Sequence, residues 1–183
     1  MNDDTTTTST TTDDLVSATV DSPVGPLTVV VSDRGVRAIM WPDDDAARVP
    51  AAHPAQPPSG VVSEHPILAS VARQLDEYFA GERTEFDVAL DPVGTDFQHA
   101  AWRALREIPF GETASYGEQA ERMGDRNKAR AVGAANGRNP ISIIVPCHRV
   151  VGANGSLTGF AGGIETKRFL LDHERRVAGV TLL

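Results

Sequence analysis

Between Val16 and Val20 apolar and polar residues alternate, with Val16, Ala18 and Val20 on one side and Ser17 and Thr19 on the other. That is the period of a half-buried strand. Leu27-Thr28-Val29-Val30-Val31 and the run from Val36 to Trp41 are two further strands. The clusters Ser22-Pro23-Val24-Gly25-Pro26 and Asp33-Arg34-Gly35 separate them as turns, so the three form an antiparallel meander. Pro42 to Gly60, rich in Asp, Ala and Pro, reads as a solvated loop. The period then lengthens. Ile67, Leu68, Val71, Leu75 and Phe79 share one face of a helix that Gly81 stops. Phe86 to Leu90 alternates as a short strand, and Asp91-Pro92-Val93-Gly94 is a linker at a domain boundary.

Beyond it the pattern is mostly helical. Thr95 caps a helix to about Ile108, with Phe97, Ala101, Trp102 and Leu105 inward. Pro109-Phe110-Gly111 breaks it. Ser115 with Glu118 makes a capping box for a helix from Tyr116 to Met123, and after Gly124-Asp125 a second helix runs from about Arg126 to Asn136. Helix, tight turn, helix is the outline of a helix-turn-helix. A last helix spans Glu165 to about Arg175, with Phe169 and Leu170 as core candidates. The domain division is therefore a Thr- and Asp-rich tail over 1–14, expected to be disordered, an N-terminal domain over 15–93 and a C-terminal domain over 94–183.

Composition narrows the setting. The chain has 183 residues and a formal net charge of -8. Its single cysteine allows no internal disulfide and no zinc site built from several cysteines. No metal role is expected for His53 or His65 and no cofactor is implied. No stretch is apolar enough to span a bilayer and no signal-peptide pattern opens the chain, so a cytoplasmic, monomeric protein without a membrane partner is expected. Lys128 and Lys167 are the only lysines. An acidic surface so poor in lysine favours a high-salt (halophilic) cytoplasm. Against that background Arg122, Arg126, Lys128, Arg130 and Arg138 gather around the helix-turn-helix, a local patch suited to DNA. Ala129, Ala131, Val132, Gly133, Ala134 and Ala135 make its second helix slender enough for close approach to another surface.

The candidate chemistry lies in Ile143-Ile144-Val145-Pro146-Cys147-His148-Arg149-Val150. The β-branched run reads as a buried strand that Pro146 stops, placing Cys147 at a strand end. A lone cysteine is either a small buried hydrophobe or, with histidine next to it, a nucleophile.

Asn139-Pro140, Val145-Pro146-Cys147-His148-Arg149-Val150, Gly159-Phe160-Ala161-Gly162-Gly163 and Leu170-Leu171-Asp172-His173-Glu174 occur at these spacings. Together with Phe110-Gly111-Glu112, Ser115-Tyr116 and Arg130-Ala131-Val132-Gly133, they resemble the signature of the 6-O-alkylguanine-DNA alkyltransferases, the methylated-DNA–protein-cysteine methyltransferases. The resemblance is dense over residues 95–175. It implies an α+β fold: a ribonuclease-H-like N-terminal domain and a winged-helix-like, helix-turn-helix alkyltransferase domain.

The implied activity is DNA repair in a single turnover. An alkyl group would pass from the 6-oxygen of guanine, or the 4-oxygen of thymine, in double-stranded DNA to Cys147. The same resemblance makes His148 the base acting through a water, Glu174 its orienter and Asn139 a structural tie. Tyr116 becomes the donor to the purine, and Arg130 fills the gap left by the extruded base. Ala131 and Gly133 lie on the minor-groove helix, while Val150, Phe160 and Ala161 line the base site. Many relatives carry Tyr at the position of Phe160. Two other classes stay open on the residues alone: a Cys-His-Glu thiol hydrolase and a non-catalytic lesion-binding module.

Overall fold

The computed structural model describes residues 14–44, 48–50 and 62–180. Three strands open the chain: β1 (Val16–Val20), β2 (Leu27–Val31) and β3 (Val36–Met40). They pair antiparallel in the order β1-β2-β3, with Val16 opposite Val31 and Thr28 opposite Met40. Helix α1 (Pro66–Ala80) packs on them through Leu68, Val71 and Leu75, and Gly81 in the left-handed region (φ 77°) ends it. Residues 1–13 of the tail and His53 lie outside the described residues; His65 is the residue before α1.

The C-terminal half holds α2 (Asp96–Arg106), β4 (Ala114–Ser115), α3 (Tyr116–Arg122), α4 (Ala129–Gly137), β5 (Val150–Val151) and α5 (Ile164–Val177). Both capping boxes form, Thr95 with Gln98 and Ser115 with Glu118. The second helix of the helix-turn-helix begins as a 3-10 turn, Arg126–Lys128, capped by Asp125, before α4 starts at Ala129. The strands β4 and β5 pair parallel, Ala114 with Val150 and Ser115 with Val151. That pairing brings Tyr116, which follows β4, to the same end of the domain as Cys147, which precedes β5.

Two expected strands do not form. Residues 141–145 make isolated bridges, Ile39 to Ile141 and Ser142 to Val145, around a tight turn in which Val145 N–H donates to Ile141 O at 2.9 Å. Ile143 there sits at φ 74°, an uncommon conformation for a β-branched residue. Ile141, Ile143, Ile144 and Val145 are all buried in the core that spans both halves of the chain. Burial from every side selects the same apolar run as a strand does, which is why the pattern misleads. Phe86 to Leu90 keeps its alternation of burial but pairs only through a bridge from Leu90 to Val36. The backbone of Asp87 bonds instead to the Gln74 side chain on α1. Phe169 is 36% exposed rather than core, and stacks on His173, while Leu170 is fully buried.

The two halves share one apolar core, in which Ile39 and Trp41 meet Ile141, Ile143 and Val150. Ile39 N–H donates to Pro140 O at 2.9 Å, tying β3 to the segment that leads to the cysteine. Val49 is buried and Arg48 nearly so, which corrects the expectation of a solvated loop at this point. The guanidinium of Arg48 binds Asp44 and donates to the carbonyl of Asn139.

Candidate active site

Cys147 opens a 3-10 turn, Cys147–Arg149, directly after the tight turn at 141–145. The Asn139 amide joins the two: Nδ2 donates to Val145 O at 2.8 Å and Oδ1 accepts from Ile141 N–H at 3.1 Å. The turn sends consecutive side chains in different directions. Cys147 is half-buried and faces a cavity, whereas His148 and Arg149 point into the protein.

Behind the cysteine His148 and Glu174 are both fully buried, with Nε2 of the imidazole 2.7 Å from Glu174 Oε1. Arg149 donates to both carboxylate oxygens, at 2.9 and 3.0 Å. Tyr78 Oη, from α1, donates to Oε1 at 2.9 Å, and Gly111 N–H donates to Oε2 at 3.1 Å. Gly111 has φ 80°, and a Cβ there would stand 2.8 Å from Ala178, so glycine alone fits. Burial pushes the Glu174 carboxyl up, but the hydrogen bond from His148 and the hydrogen bonds and charge of Arg149 outweigh it and hold the group well below the usual carboxylate range.

An ionised carboxylate only accepts hydrogen bonds, so Nε2 of His148 carries the proton and Nδ1 keeps the lone pair. Burial also lowers the His148 pKa, against the pull of Glu174, and the ring is neutral at pH 7. Among the described residues Nδ1 has no partner. Burial raises the Cys147 thiol, with the Asn139 amide and the charges of Lys167 and Arg48 pulling it back. A raised thiol beside a lowered imidazole rests as a neutral pair at pH 7.

The cavity has a volume of about 450 Å³ and is lined by Tyr116, Gly133, Asn139, Cys147, Phe160 and Ala161, and also by Arg48 and Ser142. Tyr116 donates to Thr158 O at 3.3 Å across its mouth. Lys167, fully buried, donates to Val150 O at 2.6 Å and Thr158 O at 2.9 Å, joining the segment after the cysteine to the glycine-rich loop. Val150 is fully buried and does not line the cavity. His148 and Glu174 stand behind the lining rather than in it. On α4, Arg130, Ala131 and Ala134 are exposed, and Arg130 makes no hydrogen bond or ion pair with the described residues. Arg122, Arg126, Lys128 and Arg138 are exposed around it.

Sequence reasoning missed Trp41, Arg48, Tyr78, Ser142 and Lys167 as parts of the site, and assigned Arg149 no role. Arg149 had a signal, its place in the Pro-Cys-His-Arg block. Trp41, Arg48 and Tyr78 had none, because they come from the other half of the chain.

A buried imidazole–carboxylate pair behind a cysteine, on a domain that presents a basic helix-turn-helix, defines a cysteine-dependent protein directed at DNA. Residues 15–92 match the 6-O-methylguanine DNA methyltransferase, ribonuclease-like domain, and residues 96–176 match the 6-O-methylguanine DNA methyltransferase, DNA binding domain. The methylated-DNA–protein-cysteine methyltransferase of Mycolicibacterium paratuberculosis is 48% identical over 165 residues, 90% of this chain and 94% of the relative. That of Methanosarcina acetivorans is 45% identical over 157 residues, 86% of this chain and 96% of the relative. The structure of Mycobacterium tuberculosis OGT in complex with DNA is similar at 47% identity and a TM-score of 0.77, covering 87% of this chain and 92% of that one. The chain belongs to the 6-O-methylguanine DNA methyltransferase family.

Proposed function

We propose that this protein repairs 6-O-alkylguanine in double-stranded DNA by moving the alkyl group to Cys147. The observation that carries this reading is the 2.7 Å contact between a neutral, buried His148 and an ionised Glu174, directly behind a cysteine that faces a base-sized cavity. His148 Nδ1 takes the thiol proton through a bridging water. Sγ attacks the alkyl carbon, the carbon–oxygen bond breaks, and its electron pair stays on the guanine oxygen. The proton lost by the thiol returns to the purine, with Tyr116 as hydrogen-bond donor to the ring. Glu174 steadies the imidazolium and takes no proton, since Arg149 already holds it ionised. The products are a thioether and plain guanine, and a thioether is a stable end product, so each molecule acts once.

The target atom lies inside a base stack, so the nucleotide is flipped out. The small residues Ala131 and Gly133 let α4 approach the minor groove, and Arg130 occupies the gap in the stack. Phe160 and Ala161 face the flipped base, on a loop that Lys167 ties to the backbone of Val150. The 4-oxygen of thymine presents the same chemistry to the thiol. The protein is read as a monomer of the cytoplasm, and no helix among the described residues is long and apolar enough to cross a membrane.

Incubation with a duplex bearing one 6-O-methylguanine, followed by intact mass, tests this. The protein gains one methyl group, on Cys147, and Cys147→Ser gains none. Repeated turnover with unchanged protein mass would indicate a thiol hydrolase instead, and binding without any mass change a lesion-binding module.

A further inference from the structure

Trp41 follows β3 in the N-terminal domain, far in sequence from every residue of the alkyl-transfer chemistry, yet it is 5% exposed and touches the cavity wall at several points. Its indole Nε1 donates to Ser142 Oγ at 3.2 Å, and Ser142 lines the cavity. Its ring meets Phe160 edge-on, with centroids 5.5 Å apart and planes at 64°. Phe160 in turn stands edge-on to His148 at 6.5 Å. The loop bearing Phe160 lies directly against the indole at Gly162, where an added Cβ would come within 2.7 Å of the ring. Gly159 and Gly163, both at positive φ, give this loop little stiffness of its own. Tethers at Thr158 hold one side of it, from Tyr116 and Lys167. On the other side the Phe160 ring is held by Trp41.

We propose that Trp41 is a specificity-determining residue for alkyl transfer. By backing Phe160 and fixing Ser142, it sets the width of the cavity beside the Cys147 thiol, and so the size of alkyl group that reaches the sulfur. A planar, rigid indole makes this wall unyielding. The ribonuclease-like domain thereby acts on substrate choice through the cavity wall. The inference rests on the alkyl-transfer reading above.

The experiment measures second-order rates of alkyl transfer to Cys147, by intact mass, for two duplexes that differ only in carrying 6-O-methylguanine or 6-O-benzylguanine. Trp41→Leu leaves space into which Phe160 can recede. The ratio of benzyl to methyl rates is expected to rise roughly tenfold, the scale of discrimination a hydrophobic pocket achieves. Trp41→Phe, which keeps an aromatic wall, restores most of the wild-type ratio. Thermal melting and the rate of Cys147 alkylation by iodoacetamide report fold and intrinsic thiol reactivity alongside. A folded Trp41→Leu protein in which both rates change by the same factor, or neither changes, overturns the proposal. If Trp41→Leu does not fold, Gly162→Ala decides. Its Cβ forces the indole and the Phe160 loop apart, and an unchanged ratio in that folded variant overturns the proposal equally. Wild-type protein that gains no alkyl mass from either duplex would instead overturn the alkyl-transfer reading.

Discussion

Glu174 receives hydrogen bonds from His148, Arg149, Tyr78 and Gly111, so a buried charge is fully satisfied, and neutralising it leaves Arg149, which also donates to Ile108 O, without its buried counter-charge. Taking one partner from a buried ion pair costs on the order of 3–5 kcal/mol. Glu174→Gln is therefore expected to lose about that much in urea denaturation and to slow transfer on duplex and free alkylated base alike. Its folded pKa lies below the ordinary 4.5, so the Glu174 contribution is present above pH 4.5 and is lost as pH falls through the folded pKa. His148 bears on the acid limb of the transfer rate. Its pKa is lowered from 6.5 by burial, so the base stays neutral at and below that pH, and protonation removes it only further into acid. The transfer rate of folded protein is expected to hold from pH 7 down past 6.5 before it drops. A drop centred above pH 6.5 would contradict the buried, neutral base.

At the scale of elements, α4 and α1 do separate work. Arg130 on α4 is exposed and has no partner among the described residues, whereas the groups behind the thiol are buried. Arg130→Ala is expected to slow repair in duplex DNA well beyond any effect on free 6-O-methylguanine, since only the duplex requires flipping. Equal losses on both substrates would remove that role. On α1, Tyr78 is fully buried and its hydroxyl reaches Glu174 from the other domain. Tyr78→Phe deletes one hydrogen bond to a charged group and is expected to cost about 1.5–3 kcal/mol in chemical denaturation. Helix limits were legible because caps are local: Thr95, Ser115 and Gly81 act within a few residues of themselves. The turn at 141–145 was not, because its apolar residues are selected by burial from both domains, and burial does not encode a backbone path.

For the whole molecule the balance of charge matters most. A formal net charge of -8 opposes approach to DNA everywhere except at the basic helix-turn-helix. Typical DNA binders weaken steeply with salt because each phosphate contact releases a counterion. Here salt also screens the repulsion between an acidic surface and DNA, and a minor-groove helix of small residues depends on shape and apolar contact. Repair rate is expected to hold or rise from low salt to about molar potassium chloride, the direction opposite to a basic binder. Rates across a salt series, with circular dichroism alongside to report folding, check this. A steep monotonic loss in folded protein would remove the high-salt reading and leave the thiol chemistry intact.

Sequence alone determined the meander, the capped helices, the Pro-Cys-His-Arg block and the family, because periodicity, caps and contiguous motifs are written in neighbouring residues. Tertiary structure decided which nitrogen of His148 keeps its lone pair, through the carboxylate 26 residues away that occupies the other. It also decided that Trp41, Arg48 and Tyr78 reach the site at all. Those contacts join positions 91 to 101 residues apart. They exist because the two domains close on one apolar core, and no local pattern records which side chains such a closure brings together.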